Sequence, residues 1–101
     1  MVENPMKTLE RLDPKLIGLL NDCRECALDD GVLPRKVKLL VAMALDAAHG
    51  TESGVKSLAD QALKAGATKE EVMETVRVAY FISGAGAIYT AARALKDVFP
   101  E

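Results

Sequence analysis

The stretch Ala62-Leu63-Lys64-Ala65-Gly66-Ala67-Thr68-Lys69-Glu70-Glu71-Val72 closes one helix and opens the next within a few residues. On its upstream side Val55, Leu58, Ala59, Ala62 and Leu63 follow the i, i+3, i+4, i+7, i+8 spacing of a helix with one apolar face, and Gly66 is a natural stop. Lys56, Asp60, Gln61 and Lys64 fall on the opposite, polar face. On its downstream side Thr68 and Glu71 stand in capping-box register, where a hydroxyl and a carboxylate each take up a backbone amide that the first helical turn leaves unpaired.

Working outward, the same pattern repeats. Val37 to Ala48 is apolar nearly all the way round, which predicts a central helix opened by Pro34 and stopped by Gly50. Asp13-Pro14 predicts an earlier helix start, because Asp caps free amides and Pro fits the first helical position. Leu16, Ile17, Leu19, Leu20, Cys23, Cys26 and Ala27 give that helix a buried face, and Asp30-Gly31 ends it. After the capping box, Val72, Val76, Ala79 and Tyr80 point to the core until Ser83-Gly84-Ala85-Gly86. A last amphipathic helix carries Ala87, Ile88, Ala91, Ala92, Leu95 and Val98 and stops at Pro100. No stretch alternates strictly, as a half-buried strand would. The expectation is an all-α bundle of about five to six helices forming one domain over residues 1–101.

Composition narrows the partners. The chain of 101 residues is 50% hydrophobic and 28% charged, enough for one core. Thirteen Lys and Arg against fifteen Asp and Glu give a net charge of −2, too little basic excess to track a nucleic-acid backbone. No apolar run reaches the roughly 18–20 residues of a membrane span. Met1-Val2-Glu3-Asn4-Pro5 lacks the basic-then-apolar pattern of a signal peptide, so the expected address is the cytoplasm. Aromatic residues are only 4% and Trp is absent, so the core must be built from Ala, Leu, Val, Ile and Met. Such small side chains bury little area each, which favours a core that continues across a subunit interface.

Gly31-Val32-Leu33-Pro34-Arg35-Lys36 and the segment from Ala62 to Thr75 resemble the carboxymuconolactone decarboxylase and alkylhydroperoxidase D-like family, in which the second segment reads A-L-x-x-G-A-T-x-E-E-I-x-E. The resemblance implies a helical subunit that assembles into trimers or hexamers and acts on a small-molecule substrate. It also implies where a site would lie. The redox branch carries C-x-x-C-x-x-x-H upstream of that segment, and here those places hold Thr51, Gly54 and Leu58. A glutamate often found early in the central helix falls at Leu39. The decarboxylase branch keeps the histidine that Leu58 replaces. The usual site is therefore altered.

Two other constellations carry chemistry. Cys23-Arg24-Glu25-Cys26 has dithiol spacing, and a reactive pair needs a thiolate stabilised by a helix start or a cation, with its partner close by. Asn21-Asp22 either restarts a helix, putting Cys23 at its beginning, or one helix continues from Asp13 and Cys23 sits deep inside it. Alternatively both cysteines are small buried residues on one helical face. His49, the only histidine, follows Asp46 by three residues, the spacing at which a carboxylate can orient an imidazole for acid–base work. The plainer role is electrostatic, since a histidine near a helix C-terminus is favoured there. Glu52, Ser53, Tyr80, Ser83 and Tyr89 could add polar groups to such a pocket, though sequence alone does not bring them together. Two cysteines cannot complete a tetrahedral metal site, so neither metal nor cofactor is expected. Gly84-Ala85-Gly86 is too short for a phosphate loop, and Arg35, Lys36 and Lys38 read as a solvated helix start, with an anion site as the alternative.

Overall fold

Six helices follow one another in the computed structural model, which describes residues 5–101. The first four residues, read above for a targeting pattern, lie outside them. The helices are α1 (Met6–Leu12), α2 (Pro14–Leu28), α3 (Arg35–His49), α4 (Glu52–Lys64), α5 (Lys69–Ser83) and α6 (Ala85–Val98). No strand occurs among the described residues, as the all-α reading expected. No helix is long and apolar enough to cross a membrane.

The boundaries have local causes. Asp13 accepts the Leu16 amide at 3.0 Å with Pro14 at the first helical position, so α2 starts where the Asp-Pro pair placed it. At the far end of α3 the Gly50 amide reaches Ala47 O and the Thr51 amide reaches Asp46 O at 2.9 Å. This Schellman closure needs a left-handed residue, and Gly50 has φ 77°. The capping box opens α5 as expected: the Glu71 amide donates to Thr68 Oγ1 at 3.0 Å, and the Thr68 amide donates to Glu71 Oε1 at 2.9 Å. The seven-residue α1 has no counterpart in the sequence reading, because Pro5 precedes it with no side-chain cap to announce it.

The core belongs to α3–α6. Leu39, Leu40, Met43 and Ala47 of α3 pack with Val55, Ala59 and Ala62 of α4, Val72, Val76 and Ala79 of α5, and Ala87, Ala91, Ala94 and Leu95 of α6. Half of these side chains are alanine, so the helices pack closely while each contact is small. Leu39, Met43, Val55 and Val72 are fully buried, each contributing roughly 1.5–3 kcal/mol by burial. The α3–α4 interface is the most extensive, and α4–α6 comes next. Two ion pairs between exposed groups cross the α4–α6 interface, Lys56–Asp97 at 3.2 Å and Arg93–Glu52 at 3.1 Å.

In contrast, α1 and α2 bury no residue at all. They form an arm that touches α3 sparsely. Lys38 Nζ to Asp29 O at 2.7 Å and Arg24 to Gln61 Oε1 at 3.3 Å are among its ties to the bundle. The radius of gyration is 14.5 Å, above the about 13 Å expected of a compact domain this size, as a protruding arm requires. Three expectations about faces are corrected. The apolar face of α2 is not buried, since Leu16, Leu19 and Leu20 are exposed. Tyr80 points outward and is half-exposed. Val41 and Leu45 leave one side of the central helix uncovered. In each case the amphipathic pattern is present but this chain supplies no partner for it.

Candidate functional site

The place where the resemblance puts a site is the corner between α3 and α4. The Schellman turn at Gly50 reverses the chain within two residues, bringing the end of α3 against the start of α4. Thr51 stands at the N-cap of α4, Gly54 lies in its first turn, and Leu58 packs partly buried against the core. Leu39 is fully buried in the core, where it has no proton to relay.

Asp46 and Gly54 meet at this corner. The half-buried Asp46 carboxylate occupies the space that a side chain on Gly54 would need, with Asp46 Cγ 2.8 Å and Thr51 Cγ2 3.2 Å from where a Cβ would stand. Gly54 is therefore there because of Asp46: α4 approaches α3 with room for the carboxylate only if residue 54 has no side chain. Across the corner, Thr90 of α6 is the one buried polar side chain among the described residues, and its hydroxyl faces Gly50. Glu52 is held by Arg93 of α6. Sequence reasoning named Glu52 but missed Thr90 and Arg93. The available signal for Thr90 was a hydroxyl inside the small-residue face formed by Ala87, Ala91 and Ala94.

His49 ends α3 and is exposed, in the last turn, where a basic group is favoured by the helix dipole. No hydrogen bond joins it to Asp46 among the described residues. The orienting contact expected from their spacing is thus absent here, and Asp46 is directed instead toward Gly54. Tyr80, Ser83 and Tyr89 are all exposed at the α5–α6 turn.

Cys23 and Cys26 lie on α2, which runs unbroken from Pro14 to Leu28. That settles the choice left by the sequence: no helix restarts at Asn21, and Cys23 sits in mid-helix without the dipole of a helix start. Both cysteines are free and exposed, so the buried-pair reading is corrected. Arg24, the nearest cation in sequence, is turned to Gln61. No hydrogen bond connects either thiol to His49 or Asp46, so the two constellations are not brought into one network.

One carboxylate has its charge clearly tuned. Glu71 is held below the usual range chiefly by the Thr68 amide it accepts, and secondly by Lys36, whose Nζ lies 3.1 Å from Glu71 Oε2. This pair joins α3 to the start of α5 and is structural. Lys36 is therefore engaged rather than forming part of an anion site. Among the described residues no group of three or more His, Cys, Asp or Glu is placed to hold a metal ion.

Comparison with known proteins agrees with this architecture. The carboxymuconolactone decarboxylase family model matches residues 14–97. The chain is also similar to a crystal structure of apo-lpg0406, a carboxymuconolactone decarboxylase family protein from Legionella pneumophila, with 30% identity and a TM-score of 0.85, over 90% of this chain and 81% of that one. No match was found among curated proteins.

Proposed function

Because the chain belongs to the carboxymuconolactone decarboxylase family, we propose that it is a thiol-dependent peroxidase or disulfide reductase built on that scaffold, with Cys23 and Cys26 replacing the dithiol absent at Thr51 and Gly54. The observation that carries this reading is the exposure of two free thiols one turn apart on a helix that buries nothing. The Cys23 thiolate attacks the peroxide O–O bond, releasing water or an alcohol and leaving a sulfenic acid. Cys26 then displaces water to form the disulfide, and an external dithiol reduces it. Residues three apart on a helix have Cβ atoms about 5–6 Å apart, against about 3.5–4.5 Å in a disulfide, so closing the bond unwinds the end of α2 locally. Leu28 at that end is only partly buried against the core and the rest of α2 buries no residue, so the opening breaks few contacts.

The test is peroxide consumption with dithiothreitol as reductant, together with thiol titration. Two thiols should disappear per chain on oxidation, Cys23→Ser should abolish turnover, and Cys26→Ser should stop at a dimedone-reactive sulfenic acid. No thiol loss, or unchanged turnover in Cys23→Ser, removes the proposal.

A second reading is favoured by the corner geometry. Asp46 presents a carboxylate at the family's site, with His49 one turn further along α3, and the pair would serve proton transfer or decarboxylation of a small carboxylated lactone. Full activity in His49→Ala and Asp46→Asn on a lactone substrate would exclude it. A third, non-catalytic role as an oligomeric binder requires neither chemistry and would show only a ligand-dependent rise in melting temperature.

We also propose that the chain forms a trimer or hexamer. The support is its apolar surface, with Leu16, Leu19, Leu20, Val41 and Leu45 on the arm side and Val78, Phe81, Ile82 and Tyr89 around the α5–α6 turn all exposed. Light scattering that returns a monomer mass at micromolar concentration would refute this.

A further inference from the structure

We propose that the groove between α5 and α6 binds a small amphipathic carboxylate of the medium-chain fatty-acid class, the alkyl chain lying along the helices and the carboxylate on Lys69. The turn at Gly84 makes α5 and α6 antiparallel neighbours, so Lys69 at the start of α5 lies at the same end of the pair as Phe99, just past α6. Between them is a cavity of about 300 Å³. Lys69, Met73 and Val76 line it from α5 at i, i+4, i+7, and Ile88, Leu95 and Phe99 line it from the other side. Its space comes from two small residues of α6, Ala91 and Ala92, at the middle of the groove.

Three features point to an amphiphile with an anionic end. The cleft reaches the core, since Val76, Ala91 and Leu95 are almost wholly buried, so it is deeper than a flat docking face. Every lining residue is apolar except Lys69, whose ammonium, like those of Lys7, Lys15, Lys38 and Lys96, forms no ion pair among the described residues. The run from Lys69 to Val76 is ~10 Å at the helical rise, a length suited to an extended medium alkyl chain. The broad apolar surface of Val78, Phe81, Ile82 and Tyr89 lies toward the opposite end of the helix pair and shares no residue with the groove. Neither Cys23 and Cys26 nor Asp46 and His49 line it, so this site is independent of the chemistry proposed above.

The test is a fluorescence titration of the intact chain with dansyl-undecanoate, followed by displacement with decanoate, decanol and decyltrimethylammonium. Saturable binding of one probe per chain is expected, with decanoate displacing it at least about tenfold better than either uncharged or cationic analogue. Lys69→Glu and Lys69→Met should each weaken binding about tenfold. Glutamate is electrostatically welcome in a first helical turn, so loss in Lys69→Glu cannot be ascribed to a broken α5. Ala92→Leu should fill the groove and abolish binding at an unchanged melting temperature. Absence of saturable binding, equal displacement by decanol, or wild-type affinity in both Lys69 variants would overturn the proposal. So would an Ala92→Leu chain that keeps the probe but loses self-association by light scattering, since the groove would then be an interface between copies.

Discussion

The arm and the bundle are built from similar helices but held by different means. In the bundle, α3–α6 bury every core side chain that a helix contributes, and the most exposed residues there are on its rim. In the arm, α2 is as long as α3 and has an apolar stripe, yet buries nothing. The difference teaches that an amphipathic pattern specifies a face to be covered and not what covers it. It also separates labour: the region that sets stability carries no thiol, and the region with both thiols contributes little to the core. Local opening at Cys23 and Cys26 can therefore occur while the bundle stays folded.

The largest effect expected from testing this division is in the core. Met43→Ala should destabilise the chain by about 2–5 kcal/mol in urea unfolding, because the site is fully buried among helices that cannot collapse around it. A smaller loss would mean the bundle is less tightly packed than the arm comparison requires. Next comes the corner: Gly54→Ala should cost about 1–3 kcal/mol, because the new methyl meets the Asp46 carboxylate. The double variant Asp46→Ala/Gly54→Ala should recover part of that loss, and strict additivity would show that the two residues do not share space.

Thr68→Ala should cost ~1 kcal/mol by removing the cap of α5. The same motif gives a pH dependence. Glu71 has a folded pKa below its usual 4.5, so its contribution is fully present above that value and is lost as pH falls through the lowered folded pKa. Melting temperatures measured down an acid series should fall less steeply in Glu71→Gln than in the parent. The smallest effect belongs to the arm. Leu19→Ser should alter the unfolding of a dissociated chain by no more than ~0.5 kcal/mol, as at other exposed positions. If the arm is covered by another copy, the same change lowers the assembled mass instead.

Much of the bundle was legible because its signals are local. Asp13-Pro14, Gly50, Gly66 and the Thr68–Glu71 box each act within a few residues, and five of the six helices start or stop at them or at comparable breaks. The helix α1 was not, for it has neither a side-chain cap nor a buried face. Exposure of Cys23, Cys26 and Tyr80 was equally out of reach, since burial depends on which neighbours exist and periodicity reports only the face. At the corner, the sequence named Asp46, His49, Thr51, Gly54 and Leu58, and the fold places them there. The contact of Asp46 with Gly54 depends on how closely α4 returns past α3, and their spacing suggested another partner, His49, for the carboxylate.

That contact also constrains how the protein can change. A cysteine placed at residue 54 would meet an occupied position, and would fit only after Asp46 had given way to something shorter. The two substitutions are acceptable in one order and penalised in the other. The corner therefore acts as a ratchet on the order in which residues 46 and 54 can change.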